Sequence, residues 1–332
     1  MTTHEVGLGL AGSLHPRDYG PIAARAEAAG YDAITVFGDL MFQPPALVLH
    51  SMALATERVR LGVAAYSPWL LHPVEVAGQV AYLDHVSRGR AFYGLVRGAW
   101  LDRLGIDQTA SLSAVRDTVE IVSRLLRGDE SGYLGTVYSL EARTNLMYDA
   151  YRPQVPLLIG SWSPRLAAYA AEVADELQAG GSANPAIVGR LTELAGRTSP
   201  EGRPGICLNA VTVVDEDRAA ALQAARSAAA LYLEVVARFD PTVEVDEDLL
   251  AAMRGRLDVG DADGAGALIP ADILRKFAFA GTPEDVAVQA AEILDAGAAR
   301  VEFDTPFGLD GDRGLALLCD EVLPRVRAHM GG

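Results

Sequence analysis

Only two cysteines, Cys207 and Cys319, and a single lysine, Lys276, occur in the 332 residues. Two thiols so far apart form neither a disulfide framework nor a zinc-ligand spacing, so both are expected as small core residues. No run of about 18 uncharged apolar residues is present, so the sequence offers no membrane-spanning helix. Residues 1–12 lack the basic region and apolar stretch of a secretory signal, and the expected location is the cytoplasm. Basic residues are also in deficit. With 28 Lys and Arg against 44 Asp and Glu, the formal charge is −16, so neither nucleic acid nor an anionic membrane is an expected partner. HExxH, P-loop, Rossmann GxGxxG and nucleophile–base spacings are missing, and no metal site is expected.

What is there is apolar and periodic. Half the residues are hydrophobic and the mean hydropathy is +0.16, enough for a large core. Short β-branched or apolar runs alternate with longer segments of helical period, the pattern of βα units on a parallel sheet. Strands are expected at Val6 to Leu10, Ala33 to Phe37, Arg60 to Ala65, Ala91 to Leu95, Pro156 to Ile159, Glu176 to Ala179, Gly205 to Val214 and Arg300 to Phe303. Eight strands with helices between them predict a single closed (β/α)8 barrel, a TIM barrel. Gly30, Gly89 and Gly297 fall where helices should end, and Pro164 and Pro283 follow Ser163 and Thr282 as first-turn prolines after an N-cap. Two stretches break the rhythm, residues 128–152 after strand 4 and residues 239–275 after strand 7. They read as insertions that wall or cover the mouth, or else as dimer contacts or mobile loops.

Several strand ends carry residues able to hold a ligand. Gly160-Ser161-Trp162-Ser163-Pro164 leaves a strand and opens a helix, where free N–H groups and the dipole favour an anion; an ordinary capped turn has the same pattern. Gly180-Gly181-Ser182 follows the next strand and permits close backbone approach. Tyr66 and Trp69, in a loop stiffened by two prolines, can wall a planar ring or simply cover the mouth. His72, at a helix start, reads as a capping or packing residue. Asp39, with Phe42 close behind it, stands at the rim of strand 2, where a carboxylate can orient a ring or exchange a proton. It can also cap a helix or pair with Arg97 or Arg60.

The runs Arg58-Val59-Arg60-Leu61-Gly62, His72-Pro73-Val74-Glu75, Leu83-Asp84-His85-Val86-Ser87-Arg88-Gly89-Arg90 and Gly94-Leu95-Val96-Arg97-Gly98 resemble the luciferase-like monooxygenase superfamily. Leu158 to Trp162, Gly180 to Pro185 and Phe279 to Asp285 resemble its coenzyme F420 (5-deazaflavin) branch, near methylenetetrahydromethanopterin reductase-like proteins. The resemblance covers essentially the whole chain. It implies a (β/α)8 barrel, frequent homodimers, and hydride transfer between the deazaflavin and a small organic substrate, with FMN-dependent oxygenation or a barrel without redox chemistry as alternatives. It implies a cis peptide bulge at Ala64 and Ala65 against the ring, and a phosphate held by Gly160, Ser161, Trp162, Ser163, Gly180, Gly181 and Ser182. Asp39 becomes the acid–base candidate, Arg97 a ligand to an anionic tail, and Phe42, Trp69 and Phe307 the substrate pocket. Leu40 stands where many relatives carry histidine, and Phe307 where a polar residue is expected.

Overall fold

The computed structural model describes residues 4–39, 42–196 and 204–331. Eight parallel strands close on themselves: β1 (Glu5–Leu10), β2 (Ala33–Val36), β3 (Arg60–Tyr66), β4 (Ala91–Val96), β5 (Leu157–Gly160), β6 (Glu176–Gly180), β7 (Gly205–Val214) and β8 (Arg300–Phe307). Each neighbours the next, and β8 returns to β1 with Glu5 opposite Arg300. The expected strands are all present, displaced by at most a few residues at their ends. A ninth strand, Ala278–Gly281, was not expected; it pairs with Val211–Val214 above the point where β6 leaves β7.

Period-two alternation sorts each strand into an outer and an inner row. The outer row, exemplified by Val6, Leu8, Leu10, Leu61, Val63, Val301 and Phe303, packs against the helices as the main apolar core. The inner row is polar at its foot. Arg300 Nη2 lies 2.7 Å from Glu176 Oε2, Arg60 Nη2 lies 3.0 Å from Glu176 Oε1, and Arg60 also bonds Glu5. Both guanidinium groups stack on Phe92, at 4.9 and 5.0 Å from its ring centre. Glu302 sits above, reached by Arg300 Nε at 3.1 Å and by Thr35 and Gln178, each at 3.2 Å. Charges this deep persist only because each is paired and hydrogen-bonded. Phe92 fits because Gly62 faces it, where a Cβ would overlap its ring. Cys207 lies in this row beside Arg300 and Cys319 in the C-terminal helical region; both are buried free thiols.

The two insertions differ in placement. Residues 128–152 follow the helix Ser111–Arg127, not the end of β4, and form a small hairpin, Tyr133–Leu134 with Ser139–Leu140. The segment climbs the outside of the barrel, tied by Arg152 to Asp84 and by Tyr148 to Gly78, and only its tip reaches the mouth side, where Tyr138 donates to the Pro68 carbonyl. It is a brace rather than a wall. After β7, by contrast, a long helix (Arg218–Val236) and the shorter helices Glu247–Leu257, Ala262–Ala267 and Ala271–Phe277 build a second apolar core against Val211 and Val213 of β7 and Ala278 and Ala280 of the ninth strand. The glycine-rich stretch here is no loop: Gly266 lets its helix meet the backbone of Arg226 and Ser227, leaving no room for a Cβ.

Candidate active site at the barrel mouth

The inner row becomes small toward the C-terminal ends of the strands. Gly9 makes room there for the Asp304 carboxyl and the Phe37 ring, Gly94 for the Ala65 methyl, and Gly180 faces Asn209, so the floor is set by Asp304, Asn209 and Phe37. Asn209 Nδ2 donates to Asp304 Oδ2 at 2.7 Å. Asp304 Oδ1 and Asn209 Oδ1 are buried without a partner. Burial drives the Asp304 carboxyl well above the usual carboxylate range, and the negative charges of Glu302 and Asp39 push the same way against the Asn209 hydrogen bond. None of the three floor residues was singled out from sequence; only the alternation along β8, Arg300, Glu302, Asp304, pointed inward.

Asp39 stands above the floor, where expected. Burial raises its carboxyl to about 6, with the Tyr232 hydroxyl acting to lower it. It pairs with neither Arg97 nor Arg60, the latter being committed at the barrel foot. Tyr232 comes from the long insertion helix, and its ring meets Trp100 edge-on at 5.7 Å. Neither aromatic was anticipated, because an alanine-rich helix and a loop after β4 carry no motif. Leu40, read as a missing histidine, lies outside the described residues.

The Ala64–Ala65 peptide is cis, and the pairing of β3 with β4 shifts between Val63 and Tyr66. The bulge is held closely: a Cβ on Gly38 would strike the Ala65 carbonyl and one on Gly94 the Ala65 methyl. It also corrects one expectation. By strict alternation Tyr66 would face inward, but the shifted register places it opposite Leu95, and both sit in the outer apolar core. Phe307 is corrected likewise: beyond the cis Thr305–Pro306 peptide it takes a positive φ and packs into that core, not into a pocket. Ser182 is also turned inward, fully buried and accepting the Asn184 N–H at 3.3 Å, so it shapes the loop. His72 accepts the Val74 N–H as a helix cap. Trp69 and Phe42 are half-buried, and the Trp69 indole N–H is buried without a partner.

The turn after β5 leaves its helix start uncapped. Ser163 occupies the N-cap position yet makes no capping bond, and no acidic residue stands in the first turn. Ser161 Oγ accepts the Ser163 N–H, and Trp162 Nε1 is latched to the Gly180 carbonyl at 3.2 Å, joining the two glycine turns. Arg97 ends β4 next to this turn, Val96 being paired with Gly160, and both Arg97 and Arg165 are exposed. On a chain so acidic, two arginines beside an uncapped helix start suit a phosphate. A glycine-lined mouth, a bulged strand edge and a cationic turn together match the demands of a flavin-like ring with a phosphorylated tail.

The model of the luciferase-like monooxygenase family matches residues 1–300. The chain belongs to that family. It is similar to a 5,10-methylenetetrahydromethanopterin reductase of Archaeoglobus fulgidus, 26% identical over 317 residues covering 91% of this chain and 93% of the relative. It is also similar to an F420-dependent glucose-6-phosphate dehydrogenase of Nakamurella multipartita, 26% identical over 338 residues, 95% of this chain and 94% of the relative. Among solved structures, the coenzyme F420-dependent tetrahydromethanopterin reductase of Methanopyrus kandleri superposes with a TM-score of 0.85 at 22% identity, covering 98% of this chain and 99% of that one. This likeness shows the same barrel fold. Among the described residues no helix is long and apolar enough to cross a membrane, and no cluster of potential metal ligands is found.

Proposed function

We propose that this family member is a coenzyme F420-dependent oxidoreductase that moves a hydride between the deazaflavin and a small organic substrate in the cytoplasm. The observation carrying the reading is the cationic, uncapped turn of Ser161 and Ser163 beside Arg97 and Arg165, opening onto a glycine-lined mouth. The F420 dependence named for the similar proteins supports the choice of cofactor. Arg97, Gly160, Ser161, Trp162, Ser163, Gly180 and Gly181 would hold the phosphorylated tail, the Ala64–Ala65 bulge would lie under the ring, and Phe42 and Trp69 would border the substrate. When bound, the deazaflavin supplies or accepts a hydride. Asp39 exchanges the accompanying proton, which a carboxyl near 6 can do in either direction close to neutrality. Asp304, buried and held by Asn209, forms the floor. Leu47 and Leu54, each 70% exposed, and the half-exposed Tyr82 form an apolar face on two neighbouring helices that suits a homodimer.

Titration of the purified protein with coenzyme F420 and, separately, with FMN tests this. Micromolar or tighter binding of the deazaflavin with weak FMN binding is expected; a preference for FMN would point to oxygenation, and binding of neither would remove the redox reading.

A further inference from the structure

The loop between β3 and the helix Pro73–Val86 is fastened from two sides, and one fastener belongs to the insertion of residues 128–152. On the barrel side, the buried Ser67 hydroxyl donates to the Arg97 carbonyl just beyond β4 at 2.9 Å and accepts the Trp69 N–H at 3.3 Å. Gly98 leaves room for that hydroxyl, since a Cβ there would stand 2.8 Å from it. On the outer side, the Tyr138 hydroxyl donates to the Pro68 carbonyl at 2.5 Å, and its ring meets His72 edge-on at 5.2 Å. Tyr138 is itself pinned. Asp117, buried in the helix Ser111–Arg127, accepts the N–H groups of Val137 and Tyr138 at 2.6 and 3.0 Å and the Tyr133 hydroxyl at 2.9 Å. Trp69 follows directly on the two fastened residues, and its indole N–H has no partner, so no polar bond of the ring itself sets where it stands. We propose that Tyr138 is a positioning residue, whose hydroxyl, through the Pro68 carbonyl, fixes the Trp69 wall of the mouth before any ligand arrives.

This rests on the reading of Trp69 as a border of the substrate. Pro68 is buried, and a buried carbonyl that loses its donor carries a desolvation cost unless the backbone moves to meet water. Removing the hydroxyl therefore displaces the loop and Trp69 with it. A tyrosine that only ties the insertion to the barrel would change stability and leave Trp69 where it is.

The test is fluorine NMR of the full chain labelled with 5-fluorotryptophan, without cofactor. The sequence holds three tryptophans, Trp69, Trp100 and Trp162, and Trp69→Phe assigns the resonance of the first. Tyr138→Phe keeps the ring against His72 and is expected to shift or split the Trp69 resonance while those of Trp100 and Trp162 stay in place. A Trp69 resonance unchanged in Tyr138→Phe overturns the proposal, as does an equal displacement of all three. Adding coenzyme F420 to both proteins separates the two ideas. Failure of the deazaflavin to bind sinks the functional reading, while the cofactor-free spectra still decide the role of Tyr138.

Discussion

The carboxyl of Asp304 fills the space that a side chain at Gly9 would occupy: a Cβ built on Gly9 collides with Asp304 Oδ1 and comes within 3.0 Å of the Phe37 ring. Strands β1 and β8 are paired there, Gly9 opposite Asp304, so the two positions share one packing volume. Gly9→Ala is expected to destabilise the protein by about 1–3 kcal/mol, the cost of overpacking a closed interior. In an Asp304→Ala background the same change should cost much less. Denaturant midpoints of the four proteins in this cycle check it, and simple additivity would show that the carboxyl is not the obstacle.

Arg300 is the cation on which the barrel foot depends. Replacing it by Met leaves Glu176 and Glu302 buried without their main partner and is expected to cost about 3–5 kcal/mol. Burial already raises the Glu302 carboxyl above its usual range, and the substitution raises it further. The folded variant then binds more protons than its unfolded chain, so its stability grows as pH falls through the raised folded value and is lowest in alkali. Thermal melts across pH would contradict this if the deficit were the same at every pH.

Asp39→Asn should separate stability from activity. With its carboxyl raised from the ordinary 3.8 to about 6, Asp39 favours the folded state while protonated, and that contribution is lost as pH rises from about 4 through 6. Above that window the asparagine variant is expected to be more stable than wild type, on the order of 1–2 kcal/mol after allowance for partial exposure. Below about 4 the two should converge. Hydride transfer involving coenzyme F420 should meanwhile fall about 100-fold. Calorimetry across pH gives the first result and cofactor absorbance the second.

Arg97→Ala should weaken coenzyme F420 binding by about 10- to 100-fold, the worth of a charge-assisted hydrogen bond to an anion. Because its guanidinium is exposed, part of that affinity is screened, and wild-type binding should weaken with added salt more than that of the variant. Equal salt dependence of the two would place the anionic tail elsewhere.

The eight strands were legible because strands of a barrel bury their outer row completely and read as short apolar runs between helical periods. The ninth, Ala278–Gly281, is four residues of alanine, phenylalanine and glycine running straight on from a helix, with nothing to mark a boundary. Asp39, the turn at Ser161 and Arg97 were visible because strand ends and helix starts have local signatures. Tyr66 was placed at the mouth by its proline-stiffened loop and Phe307 by the family resemblance, and the irregular backbone before each turns it outward. Tyr232 had no signature: its helix is alanine-rich, and where that helix rests is settled by tertiary packing among residues 218–277, which no local spacing reports.

The contact at Gly266 also sets how closely the short helix Ala262–Ala267 meets the long insertion helix at Arg226 and Ser227. Residues four apart share one helix face, so displacement by a single turn would bring Ala228 or Val236 to the place Tyr232 occupies, and neither can donate a hydrogen bond. One glycine thereby bears on whether the ring that meets Trp100 edge-on is a tyrosine's or a hydrocarbon takes its place.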